Sequence, residues 1–209
     1  MGQTVWIARH ANRLDFVHPE WFDTAELPYD PPLSDDGMEQ AKALARRLAG
    51  ENIAHIFASP FLRTVQTACA VAQVLDLPVK LEAGLSEFLT PEWFPVPPQR
   101  RSRDELLQLF PRIDAHYQSR LVPEYPETDI DCAARTREIA QILTAEFPED
   151  ILFVGHGASV EGTALGLAPD TEWMRASLCS LTKCVRKGDK WVMELKSDTS
   201  HLSLVRKSA

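Results

Sequence analysis

No stretch of this chain approaches the roughly 20 consecutive apolar residues that a membrane span needs. Its longest apolar runs are strand-sized, which excludes a helical membrane anchor within them. Met1-Gly2-Gln3-Thr4-Val5 leads into the first apolar run without a basic segment or a long apolar one, so no secretory signal is expected and the default location is cytoplasmic. The four cysteines, Cys69, Cys132, Cys179 and Cys184, form no CxxC pair. They fall in helical or strand patterns, where a thiol behaves as a small hydrophobe, and reduced thiols are expected. Basic residues are outnumbered, with 22 Lys and Arg against 30 Asp and Glu and a formal net charge of −8. Nucleic acid or an anionic membrane would require a basic face, so neither is an expected partner. The six histidines are isolated and no HExxH occurs, so no metal and no cofactor are expected.

What is present is the pattern of one α/β domain over residues 1–209. Thr4 to Ala8 reads as a buried strand. Ser34 caps a helix whose apolar positions Met38, Ala41, Ala45 and Leu48 recur at helical spacing, and Gly50 closes it. Ile53 to Ala58 is a second strand. Ser59-Pro60 then reads as an N-cap with proline at the first helical position, opening a helix to about Leu75 with Arg63 in its first turn. Pro78 to Leu81 and Ile151 to Val154 are further strands, and the second of these leads into another helix. Ser180 to Arg186 and Lys190 to Lys196 flank Lys187-Gly188-Asp189 as a terminal hairpin. Strands alternating with helices predict a three-layer α/β/α sandwich with a mostly parallel central sheet. Between Thr90 and Asp131 the pattern breaks into prolines and scattered aromatics, which reads as an inserted Pro-rich cap over about 88–131.

Three segments share one position relative to these strands. Arg9-His10-Ala11-Asn12-Arg13, Ser59-Pro60-Phe61-Leu62-Arg63 and Gly155-His156-Gly157 each follow a buried strand at its carboxyl end, where open α/β sheets bind ligands. Taken alone, the first is an ordinary surface cluster and His156 a satisfied core histidine. Together they place two histidines among three arginines. Arginine carries a fixed fork of donors matched to phosphate oxygens, so the convergence points to phosphate chemistry.

The arrangement Arg9-His10, Leu33-Ser34-x-x-Gly37-x-x-Gln40-Ala41, Ser59-Pro60-x-x-Arg63-x-x-Gln66-Thr67-Ala68 and Gly155-His156 resembles the histidine phosphatase superfamily, with its phosphoglycerate-mutase-like fold. Within it, Arg9 to Asp15, Gln66-Thr67-Ala68 and Leu85-Ser86-Glu87-Phe88 most resemble the phosphatase domain of the ubiquitin-associated and SH3-containing T-cell signalling suppressors and the related ecdysteroid-phosphate phosphatases. The resemblance implies His10 as the nucleophile that forms a phosphohistidine. It implies Arg9, Arg13, Arg63 and His156 as ligands of the phosphoryl oxygens, and Glu87 as general acid and then base. The implied activity is metal-independent hydrolysis of a small, aryl or hydrophobic phosphomonoester or of phosphotyrosine. The suppressor domains also dimerise, so a homodimer is implied, although no surface signal in these residues speaks to it.

Two departures matter. Ala11 stands where the family has glycine, and a position requiring positive φ would be strained by its Cβ. Phe16 stands where the mutases have asparagine, which favours a phosphatase over a phosphoglycerate-type phosphomutase. A catalytically weak phosphatase fold used as a binding module is the non-enzyme alternative. A cysteine phosphatase would need arginine six residues after a cysteine, and no cysteine here has one. Gly157-Ala158-Ser159-Val160 begins a serine nucleophile elbow, but Glu161 occupies the closing glycine position.

Overall fold

A computed structural model describes residues 2–203. Its six strands, β1 (Thr4–Arg9), β2 (Ile53–Ala58), β3 (Val79–Leu81), β4 (Asp150–Gly155), β5 (Leu181–Lys187) and β6 (Lys190–Asp198), form one sheet of order β3-β2-β4-β1-β5-β6. The β1–β4, β2–β4 and β2–β3 pairings are parallel, and β5–β6 joins β1 as an antiparallel hairpin whose turn places Gly188 at φ 62°. The helices are α1 (Leu14–Val17), α2 (Trp21–Thr24), α3 (Asp35–Leu48), α4 (Leu62–Leu75), α5 (Arg103–Leu109), α6 (Asp129–Glu146) and α7 (Gly157–Leu167). None is long and apolar enough to cross a membrane.

Strand alternation sends Trp6 and Ala8 into a core with α3, α4 and α5, and Val5 and Ile7 into a second core with α6 and α7. Each fully buried aliphatic side chain contributes about 1.5–3 kcal/mol, so a one-residue slip of β1 would cost both cores at once. The architecture is the α/β/α sandwich that the strand and helix alternation predicts.

Three local expectations are corrected. Met38 lies outside the buried stripe of α3, which is formed by Gly37, Ala41, Leu44, Ala45 and Leu48. Ser59 is not a helix cap: α4 begins at Leu62, and the carboxylate of Asp30 accepts from the Leu62 N–H at 2.7 Å. That acceptor comes from a distant loop, so local spacing could not reveal it. Helix α6, the longest element, has no counterpart in the periodicity reading. Its buried face mixes Arg135 and Thr136 with Ile139, Ala140 and Leu143, which blurs the apolar stripe, although Thr128 and Asp131 form a capping box at its start.

Residues 88–131 are largely irregular apart from α5 and the start of α6, which already begins at Asp129 within the expected insertion. Phe94 and Leu89 bury against Phe61, with Tyr29 and Tyr125 around them, and the Tyr125 hydroxyl donates to the Phe94 carbonyl at 2.6 Å. The four cysteines are all free thiols, and burial pushes each up to about 12.

Candidate active site

The chain leaving β1 is pinned from both sides. The His10 N–H donates to the Gly155 carbonyl at 2.9 Å, and the His10 carbonyl accepts from the Cys179 N–H at 3.0 Å. The turn that follows is held by side chains from the helices: Ala11 N–H donates to Thr67 Oγ1 (3.2 Å), Asn12 N–H to Gln40 Oε1 (3.0 Å) and Leu33 N–H to Gln66 Oε1 (2.7 Å). A Cβ at Gly37 would lie 2.2 Å from the Asn12 carbonyl oxygen, so glycine is what lets α3 approach this turn. The motif residues Gly37, Gln40, Gln66 and Thr67 are thus the scaffold around the His10 loop. Ala11 is fully buried in the apolar core, and the described non-glycine residues with positive φ are Asp76, Cys179 and Ser197. The position needs no left-handed backbone, and its methyl is accommodated without strain.

His10 is fully buried. Its Nδ1–H donates to the Ala11 carbonyl at 2.8 Å, which leaves the Nε2 lone pair free, and Nε2 has no partner in the protein. Burial, reinforced by Arg63, His156 and Arg9, holds this imidazole well below its ordinary range, so it is neutral at pH 7. Around it, Arg9 Nε and Arg63 Nε and Nη1 are buried without protein acceptors. Arg9 Nη1 is anchored on the Ala176 carbonyl at 2.8 Å. Burial lowers Arg63 to about 10, which leaves it charged at pH 7. Unsatisfied guanidinium donors beside a free imidazole lone pair are the complement of a phosphoryl group.

The His156 ring packs edge-on to His10 with centroids 5.3 Å apart. Arg63 Nη2 donates to its Nδ1 at 3.1 Å, so Nε2 carries the proton and donates to Ser59 Oγ at 2.8 Å. Burial lowers this histidine to about 4, against the opposing pull of Glu87. Glu87 Oε2 lies 3.4 Å from His156 Nδ1 and 3.5 Å from Arg63 Nη2. Burial alone would raise Glu87, but the attraction of a protonated His156 and of the Arg63 guanidinium outweighs it and holds the carboxyl below its usual range. Glu87 is therefore ionised in the ligand-free protein. Gly155 is a packing requirement, since a Cβ there would sit 2.5 Å from Ser159 Oγ. That hydroxyl accepts from the His156 N–H at 2.8 Å and is buried, so Ser159 is no exposed nucleophile.

Arg13 stands at the rim. Its Nε donates to Asp15 Oδ1 at 2.9 Å, its Nη2 pairs with Asp15 Oδ2, and its guanidinium lies 4.4 Å above the Phe16 ring. A cleft of about 410 Å³ is lined by Arg9, Arg13, Arg63 and Glu87, by the aromatics Phe16, Phe22, Tyr29, Trp93 and Phe94, and by Gly157 and Ala158, while His10 and His156 are fully buried and outside its lining. All six expected site residues, His10, Arg9, Arg13, Arg63, Glu87 and His156, meet at this edge of the sheet. Spacing did not reveal Ser59, which accepts from His156 Nε2, or Asp30, which holds the start of the helix that carries Arg63. The serine was visible in its motif but read as a cap; the aspartate carries no local signal.

The ligand atoms of His10, Glu87 and His156 lie within 4.8 Å of one another and form a donor set for a metal ion. Arg63 occupies the same space, with its Nη2 already on His156 Nδ1 and near Glu87, so a cation there would be opposed by a buried guanidinium. The donor set fits an anion better than a metal.

The sequence profile of the Histidine phosphatase superfamily (branch 1) matches residues 5–199. Among curated proteins, the chain is similar to the transcription factor tau 55 kDa subunit of Saccharomyces cerevisiae, with 30% identity over 204 residues covering 86% of this chain and 46% of that protein. It is also similar to human ubiquitin-associated and SH3 domain-containing protein A, with 33% identity over 159 residues covering 67% of this chain and 23% of that protein. The chain thus spans about half and about a quarter of these two relatives. Among solved structures, the ecdysone phosphate phosphatase of Bombix mori in complex with tungstate superposes with a TM-score of 0.79 at 21% identity, covering 99% of this chain and 96% of that one. The extent of the profile match and the motifs around His10 agree: this chain belongs to the histidine phosphatase superfamily.

Proposed function

We propose that the protein hydrolyses phosphomonoesters without a metal ion, through a phosphohistidine on His10. The observation that carries this reading is the buried, unpartnered Nε2 of His10, together with unsatisfied donors of Arg9 and Arg63, two cations near enough to act on its charge. In the first step Nε2 forms a bond to phosphorus, the phosphorus–oxygen bond to the leaving group breaks, and the Glu87 carboxyl gives its proton to the departing oxygen. In the second, water attacks phosphorus, Glu87 takes its proton, and the phosphorus–nitrogen bond breaks to return the electron pair to Nε2. Arg9, Arg63 and Arg13 would bind the equatorial oxygens, joined by His156 once the bound dianion draws a proton onto its Nδ1, and a single well-placed donor is worth about 10²–10³ in rate. Glu87 is ionised at rest, and a phosphate dianion among these groups raises its proton affinity, so the substrate itself prepares the acid.

The aromatic walls support a leaving group that is aryl or otherwise hydrophobic, because sugar phosphates would need polar partners for their hydroxyls. A solved relative described as an ecdysone phosphate phosphatase accords with that class. Phosphotyrosine falls in the same class, and Phe16 favours hydrolysis over mutase transfer. Rapid quenching with a substrate labelled in its phosphoryl group tests the reading. An acid-labile, base-stable phosphoprotein is expected in the wild type and none in His10→Ala. Full turnover by His10→Ala would end it.

A further inference from the structure

Beneath Glu87 lies a buried ion pair that the proposed chemistry does not use. Arg135 of α6 and Glu127, just before that helix, are 5% and 6% exposed. Arg135 Nε and Nη2 donate to the two Glu127 carboxylate oxygens at 2.5 and 2.7 Å. The remaining guanidinium donors reach the main chain that carries Glu87: Nη1 donates to the carbonyls of Gly84 (2.8 Å) and Ser86 (3.1 Å), and Nη2 to that of Glu87 itself (3.2 Å). Glu127 grips the far side, its carboxylate accepting from the Leu89 N–H and its own N–H donating to the Leu89 carbonyl, both at 3.0 Å. All five guanidinium N–H groups are thus used on one loop and the carboxylate that closes it.

We infer that Arg135 and Glu127 are positioning residues for the Glu87 carboxyl, and that through Glu127 they tie the 88–131 segment to it. This rests on the reading of Glu87 as proton donor. Residues 86–89 belong to no helix or strand, so the clamp supplies the carbonyls of Ser86 and Glu87 with the donors that a regular element would have given them. Lysine at 135 would keep the charge opposite Glu127 but, lacking the planar fork, could not hold three carbonyls together.

The test compares turnover of an alkyl phosphomonoester with that of p-nitrophenyl phosphate, whose leaving group needs no proton, in Glu87→Gln, Arg135→Lys and the double variant, with thermal unfolding measured alongside. A general acid is worth about 10²–10⁴. Arg135→Lys is therefore expected to lose alkyl ester turnover at least about tenfold more than p-nitrophenyl phosphate turnover, and to add no further loss on top of Glu87→Gln. Equal losses on both substrates, or losses that multiply in the double variant, would mean that Arg135 acts only on stability, and the inference would fall. If Glu87→Gln itself affects both substrates equally, the proton-donor reading is at fault and the positioning role falls with it. Should Arg135→Lys not fold, Arg135→Met with Glu127→Met, which removes the buried charges as a pair, carries the same comparison.

Discussion

The Ser59 hydroxyl sits 2.8 Å from His156 Nε2, on the side of the ring opposite the nitrogen that receives Arg63. Arg63, which can only donate, leaves Nδ1 without a proton, and the hydroxyl accepts from the N–H that Nε2 therefore carries. Ser59→Ala leaves a buried N–H without an acceptor, which costs about 1–3 kcal/mol. Urea unfolding should show that loss, while the ring nitrogen shifts of His156 should keep the Nε2–H tautomer that Arg63 imposes. A shift to a mixture of tautomers would show that Arg63 does not set it.

The buried histidines make stability depend on pH. An unfolded histidine takes its proton near 6.5, whereas His156 in the fold does so only at about 4. Between those values the unfolded state binds more protons, so stability falls as the pH drops from 7 to 5, by about 2 kcal/mol for this one group. His10 adds a loss of the same sign, since its folded value is also lowered. Glu87, held low in the fold, loses its contribution only below the ordinary carboxylate range. Denaturant titrations at pH 7 and 5 should show a smaller difference in His156→Gln than in the wild type.

Arginines supply the positive charge that a divalent ion would bring to phosphoryl transfer. Activity should survive EDTA and be blocked by vanadate, which can mimic five-coordinate phosphorus at His10. Loss on chelation, restored by a divalent cation, would assign His10, Glu87 and His156 to a metal instead.

Trp93 is 52% exposed and Phe16 likewise, and both line the cleft that Arg9, Arg63 and Glu87 share. Trp93→Ala should lower kcat/KM for an aryl or steroid phosphate by about tenfold, the worth of losing part of a buried aromatic contact, and leave a phosphoglycerate little changed. If the ratio of the two stays constant in the folded variant, the wall does not select the substrate.

The strand and helix alternation, the parallel sheet and the convergence of Arg9, His10, Arg63 and His156 were legible in the sequence. Each follows from short-range pattern: buried strands read as apolar runs, and the carboxyl ends of such strands lie at one edge. Glu87 was legible only through resemblance, because a glutamate in a loop carries no periodic signal. What tertiary structure alone decided were the contacts between segments far apart in the chain. Asp30 rather than Ser59 serves the start of α4, and Ser59 is thereby left to His156, 97 positions away. Helix α6 escaped periodicity because its buried face carries Arg135, a charge that is tolerated there only where Glu127 and three carbonyls meet it. Ala11 could be judged only once its φ and its apolar surroundings were known. The protonation states of His10, His156 and Glu87 belong to this second group as well, because burial and neighbouring charge set them, and neither exists until the chain has folded.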